Sequence, residues 1–174
     1  MDLKKEGNHL YLIGETKKEL GGSEYAQILG LTGGVVPKTD VSLLKRSMET
    51  LLGLMEKGYI KSCHDVGEGG LAVTLAEMSI GGDVGIEVDI DGVAGGKLRE
   101  DVALFSESNT RWVVEVEDKN MVEKNLRDKS IPYVYLGRVK GKSLRISMGD
   151  KLLISEDVDE VRRLWKEPIW HYMG

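Results

Sequence analysis

The stretch Tyr59-Ile60-Lys61-Ser62-Cys63-His64-Asp65-Val66-Gly67-Glu68-Gly69-Gly70-Leu71 decides the fold. Its first five residues read as a strand, and the glycine-rich run from His64 to Gly70 reads as a turn. A helix follows from Leu71 to about Ile80, ended by Gly81-Gly82. This is a strand, loop, helix unit. Glycine lets the backbone come close to a ligand, and the helix beginning at Gly70 or Leu71 aims unpaired N–H groups and a positive dipole end at whatever lies before it. Asp65, at the end of the strand, is suited to a hard cation such as Mg²⁺ that in turn holds phosphate oxygens. A tight strand-to-helix turn with no ligand has the same sequence, so the loop alone does not decide between them.

Outward from this unit, the pattern mixes strands and helices. Upstream, His9 to Ile13 reads as a strand, Ser23 as the N-cap of a short helix over Glu24–Leu29, and Gly30 to Pro37 as a loop. Val41, Leu44, Met48, Leu51, Leu52 and Met55 recur at helical spacing between a capping Asp40 and a terminating Gly58. Downstream, strands are expected at Ile86–Ile90, Arg111–Val116, Tyr133–Val139, Leu144–Met148 and Leu152–Ile154. Gly141 and Gly149-Asp150 read as hairpin turns between the last three. Helices are expected from about Asn120 to Arg127 and from Glu156 to about Lys166, the latter ending near Pro168. The fold class is α+β, or α/β layers, with helices packed on a mixed β-sheet.

A chain of 174 residues is the size of one domain and buries a sufficient core without disulfides, so residues 1–174 are read as a single domain. Formal net charge is −5, and the Lys and Arg residues are dispersed, which argues against a nucleic-acid partner. The longest apolar runs, such as Trp112-Val113-Val114, are far below the ~20 residues of a membrane span. A charged start over Met1–Gly7 is unlike a secretory signal. The only cysteine, Cys63, cannot form an internal disulfide and reads as a small core residue. A cytosolic protein is therefore expected.

Two more loops carry polar chemistry. Ser106-Glu107-Ser108-Asn109-Thr110-Arg111 offers hydroxyls, a carboxylate, an amide and a guanidinium that could hold metal, ribose or phosphate, or could bond their own backbone in a solvated turn. Gly14-Glu15-Thr16 leads through Glu19-Leu20-Gly21-Gly22-Ser23-Glu24-Tyr25 into a second capped helix start. His64 has no nucleophile or second histidine at a recognisable spacing, and His9 and His171 lack context, so no zinc site and no catalytic residue is assigned.

In their order and spacing, Gly14-Glu15-Thr16 with Glu19 to Tyr25, His64 to Ala72, and Leu104-Phe105-Ser106-Glu107-Ser108 resemble the C-terminal portion of the phosphoribosylformylglycinamidine synthase family. The strand Tyr135-Leu136-Gly137-Arg138-Val139 and the Trp165-containing tail are also similar, so the resemblance covers nearly the whole chain. The wider superfamily contains aminoimidazole ribonucleotide synthetase, selenophosphate synthetase, thiamine-monophosphate kinase and a hydrogenase maturation factor. These remain the alternative reading.

What the resemblance implies is an ATP-dependent carbon–nitrogen ligase of purine biosynthesis that turns formylglycinamide ribonucleotide into its amidine, with ammonia from a glutaminase. It implies ATP and Mg²⁺ as cofactors, Asp65 and Glu107 as metal ligands, and nucleotide contacts from Asp65, Gly67, Gly69, Gly70 and Ser106. Substrate contacts would come from Ser108, Gly22 and Ser23. Gly67 departs from the serine frequent at that position. The family's catalytic histidine and most of its ATP ligands belong to an N-terminal domain without counterpart in these residues, so the chain is expected to be inactive alone. It would be either a piece of a longer protein or the partner of a separate N-terminal polypeptide. The implied partners are that N-terminal synthetase domain, the glutaminase subunit and a small accessory subunit, with a homodimer as a further arrangement. A non-catalytic binding or assembly module is the competing reading, motivated by Trp165, Ile169, Trp170 and Met173.

Overall fold

The computed structural model describes residues 1–173, with side chains at all of these except 169–172. Ile169, Trp170 and His171 therefore lie outside the described side chains, while Trp165 is half exposed.

Seven strands form one sheet: β1 (His9–Ile13), β2 (Ile60–Asp65), β3 (Ile86–Asp89), β4 (Trp112–Val116), β5 (Tyr133–Val139), β6 (Ser143–Met148) and β7 (Lys151–Asp157). Their order across the sheet is β2-β4-β1-β5-β3-β6-β7, with β3 and β6 parallel and every other pair antiparallel. Strand β1 is interior to the sheet and buried on both sides. Its alternate residues divide accordingly, Leu10 and Leu12 entering one apolar cluster and Tyr11 and Ile13 the other. The first cluster is covered by α3 (Gly70–Gly82), α4 (Asp91–Ala94), α5 (Glu100–Phe105) and, through Val161, α7 (Val158–Met173). The second is covered by α2 (Val41–Glu56) and α6 (Lys119–Asp128). A short α1 (Glu24–Ile28) lies in the loop between β1 and α2, its Tyr25 stacked on Phe105 of α5. The expected α+β layering with a mixed sheet is what the chain adopts.

Three local readings are corrected. Gly141 does not turn a hairpin between β5 and β6, because β3 lies between them and the connection crosses its end. Gly85, just before β3, donates to Gly141 O at 2.7 Å and accepts from Lys140 N at 2.8 Å. A Cβ on Gly85 would lie 2.4 Å from the Ser143 backbone, so only glycine lets the crossing chain pass so near. Strand β7 runs on to Asp157, held by its pairing with Ser143, which delays the last helix to Val158. That helix then continues through Pro168 instead of ending there, losing one backbone hydrogen bond. Helices α4 and α5 were absent from the periodicity because four and six residues are too few to establish a helical repeat.

The N-terminal segment is fastened by a buried carboxylate. Glu115 on β4 is fully buried and accepts from Lys4 N at 2.8 Å, Lys5 N at 3.1 Å and Asn8 Nδ2 at 2.7 Å. Three donors around one carboxylate satisfy a charge that burial would otherwise oppose. Glu115→Ala is expected to remove about 2–4 kcal/mol of stability in denaturant unfolding, with loss of amide protection beginning at Lys4 and Lys5.

Candidate functional site

The strand registers bring the singled-out loops to one end of the sheet. Asp65 at the end of β2 pairs with Trp112 at the start of β4. Trp112 pairs with Ile13 at the end of β1, and Ile13 pairs with Tyr133 at the start of β5. The loops after β1 and β2 and the loop before β4 consequently share an edge.

In the glycine loop, Val66 N donates to Arg111 O at 3.0 Å, and Gly70 N donates to Gly67 O at 3.0 Å. Helix α3 starts at Gly70 behind a left-handed Gly69 that supplies no side-chain cap. Its cap comes from elsewhere in the chain. Glu107 Oε1 accepts from Gly69 N at 2.9 Å and from Glu24 N, the first residue of α1, at 3.0 Å. One carboxylate oxygen thus joins two helix starts, where negative charge is favoured by the unpaired amides and the dipole.

Beneath lies a buried polar network. Arg111 is 2% exposed; its Nε donates to Ser108 O at 2.7 Å, one terminal nitrogen donates to Thr16 Oγ1 at 2.9 Å and the other to Ser106 O. Burial pulls its pKa down to about 10, opposed by the charges of Glu19 and Glu107. Ser106 and Ser108 are equally buried. Ser106 Oγ donates to Lys17 O at 2.7 Å, and Ser108 Oγ accepts from Lys17 N at 3.0 Å. Glu19 is buried too, and its Oε2 has no hydrogen-bond partner among the described residues.

The structure sorts the singled-out residues into two groups. Glu107, Gly69 and Gly70 come together, and Gly67 lies in the same turn with open space where a side chain would project. Asp65 is exposed at the strand end, its Oδ1 3.3 Å from His64 Nδ1, while His64 Nε2 faces Glu77 Oε2 at 3.0 Å. Gly22 is exposed, whereas Ser23 is buried as the N-cap of α1, accepting from Ala26 N at 3.2 Å and donating to Leu20 O at 2.9 Å. The hydroxyls of Ser23, Ser106 and Ser108 are therefore engaged in hydrogen bonds within the chain. Arg111, Glu19 and Glu77 are the polar residues whose roles sequence reasoning missed. Arg111 stood in the right segment, but nothing in its spacing announced burial. Among the described residues no group of three or more His, Cys, Asp or Glu side chains is placed to hold a metal ion. A cavity of about 450 Å³ adjoins this end of the sheet, with Thr16, Lys17, Val93, Lys97, Leu98 and Tyr133 in its lining.

Residues 5–148 match the family model of the AIR synthase related protein, C-terminal domain. The chain belongs to that family. Among curated relatives, the phosphoribosylformylglycinamidine synthase subunit PurL of Alkaliphilus metalliredigens is 36% identical over 169 residues, covering 95% of this chain and 22% of the relative. The Thermococcus sibiricus subunit of the same name is 39% identical over 167 residues, covering 95% and 23%. The chain therefore spans about a fifth of the length of these relatives. Among solved structures, the fold matches T. maritima PurL complexed with FGAR with a TM-score of 0.79 at 18% identity, over 92% of this chain and 28% of that one. E. coli HypE, a hydrogenase maturation protein, matches with a TM-score of 0.60 at 20% identity, over 88% and 49%.

Two glycines of the loop should respond very unequally to substitution. Gly70 has φ 66°, and a Cβ there would lie 2.7 Å from the carbonyl oxygens of Leu104 and Ser106. Gly70→Ala should cost about 2–4 kcal/mol through overpacking and backbone strain, whereas Gly67→Ser should stay within about 0.5 kcal/mol; thermal unfolding of both variants measures the contrast.

Proposed function

We propose that this chain acts as the C-terminal domain of the synthetase subunit of phosphoribosylformylglycinamidine synthase. The reaction is the ATP-dependent conversion of formylglycinamide ribonucleotide to formylglycinamidine ribonucleotide in purine biosynthesis, with ammonia released from glutamine. The single observation that carries this reading is the meeting of the glycine loop and the α1 start on Glu107. Amide-lined turns and a carboxylate at one sheet end are what binding of a magnesium–polyphosphate requires. The similarity to the curated synthase subunits supports the choice of reaction within the family.

The residues present fit a metal that arrives with its nucleotide better than one held by protein alone. Mg²⁺ ordinarily keeps waters and takes one or two carboxylates together with substrate phosphates. Glu107 has one oxygen outside its two hydrogen bonds, and Asp65 is open to solvent. Those two carboxylates are the metal ligands in this reading, and the bound ion would neutralise phosphate charge. The amide at Gly67 would face the phosphates, while Gly69 and Gly70, whose amides bond Glu107 Oε1 and Gly67 O, would shape the turn beside them. Gly22 would line the substrate side, with Ser23, Ser106 and Ser108 fixing the loops that surround it.

The chain's part is binding and orientation, and no catalytic residue is assigned in it. Cys63 is a poor nucleophile because burial, assisted by the charge of Asp65, pushes its thiol up to about 11. His64 is occupied on both ring nitrogens by carboxylates. An N-terminal synthetase domain, in the same or a separate chain, would supply the reacting groups, with a glutaminase subunit, a small accessory subunit and a second copy as further partners. The name of the solved PurLQS structure from Thermotoga maritima is consistent with such a complex. No described helix is long and apolar enough to cross a membrane, and the cytoplasm is the proposed compartment.

Calorimetric titration with ATP and Mg²⁺ is expected to give saturable heat, weakened at least tenfold by Asp65→Ala and by Glu107→Gln. The same protein supplied with ammonia and formylglycinamide ribonucleotide should form no amidine. Absence of binding, or binding indifferent to both substitutions, would remove the nucleotide role; turnover by the chain alone would overturn the division of labour.

A further inference from the structure

Helices α2 and α6 lie side by side over the second apolar cluster, and a cleft of about 350 Å³ runs between them. Its charged lining is Arg46, Lys57 and Lys129 against the single carboxylate of Glu49, an excess of two positive charges. Glu49 itself lies 3.9 Å from Lys45 Nζ on the same helix. Among the described residues no carboxylate pairs with any of the three cations.

Helix electrostatics explain part of this. Lys57 and Lys129 are the C-caps of α2 and α6, where a cation meets the negative dipole end. Arg46, in the first half of α2, has no such reason. Its Nε is sealed from solvent and has no acceptor among the described residues, and its one hydrogen bond, to Ser130 O, is long at 3.5 Å. A buried donor without an acceptor calls for a water, an ion or a ligand.

The remaining lining narrows the chemistry. Thr50 Oγ1 donates to Arg46 O at 2.8 Å, and Asn125 Nδ2 donates to Met121 O at 2.7 Å. The uncommitted donors of the cleft are thus mainly cationic N–H groups, joined by the second Nδ2 hydrogen of Asn125, so the occupant needs acceptor oxygens and negative charge. At Gly53 no atom lies within 4 Å of where a Cβ would stand, leaving room between the two helices. An oxyanion carrying two negative charges balances the local excess, and guanidinium and ammonium groups are its usual partners.

We propose that the α2–α6 cleft binds a phosphate or phosphomonoester dianion, held by Arg46, Lys57 and Lys129. This does not depend on the reading of the loops at the sheet end, since none of those loop residues lines the cleft. The test is a ¹⁵N-detected NMR titration with inorganic phosphate at constant ionic strength, with chloride and acetate as control anions. Saturable shifts are expected at Arg46 Nε and the Gly53 amide. Lys57→Ala and Lys129→Ala, at exposed positions, should each weaken binding about tenfold, and Arg46→Gln should abolish it. Non-saturating shifts, an equal response to acetate or chloride, or saturable shifts confined to Gly69 and Glu24 would overturn the proposal.

Discussion

The hydrogen bonds of one carboxylate oxygen hold the candidate site together. Glu107 Oε1 takes the amides of Gly69 and Glu24, so two helix starts more than forty residues apart in sequence share one negative charge. Arg111 stabilises that arrangement from below. Its guanidinium binds the carbonyls of Ser106 and Ser108, the residues flanking Glu107, and reaches Thr16 in the loop after β1. A buried guanidinium that donates from all three of its nitrogens is held in one arrangement. The three loops are consequently positioned by the core of the domain and not by their own flexibility.

That construction explains what sequence could reveal. Strand β3 and helix α2 were legible because alternation and helical spacing report which faces meet a core. The inward face of α2 was less legible: Leu51 and Leu54 are buried, whereas Val41, Met48 and Leu52, all part of the same apolar pattern, are exposed. The path of β5 to β6 over β3 was hidden because a glycine turn signals a reversal, not the distance between the strands it joins. At the site, the glycine loop and Glu107 could be singled out by residue type. The burial of Ser106, Ser108 and Arg111 could not, since a polar run reads the same in solvent and in a closed network. Glu19, buried with one oxygen unpartnered, gave no signal beyond its place in a motif.

The proposed role also separates binding from chemistry. The polar groups at the sheet end present amides, carboxylates and a half-shielded histidine, and the thiol of Cys63 is disfavoured as an anion. Such a set suits the proposed holding and orienting of a charged ligand. The cationic cleft between α2 and α6 has the opposite sign and lies over the other apolar cluster, so one small domain carries two electrostatic environments suited to different parts of its surroundings.

Residue-resolved hydrogen exchange on the unmodified chain and on Glu107→Ala tests most directly whether this carboxylate unites the loops. The amides of Gly69 and Glu24 should be protected together and lose about tenfold or more of that protection together on substitution, while Leu75 and Met78 in α3 keep theirs. Protection of either amide that survives the substitution unchanged, or its absence in the unmodified chain, would contradict the account.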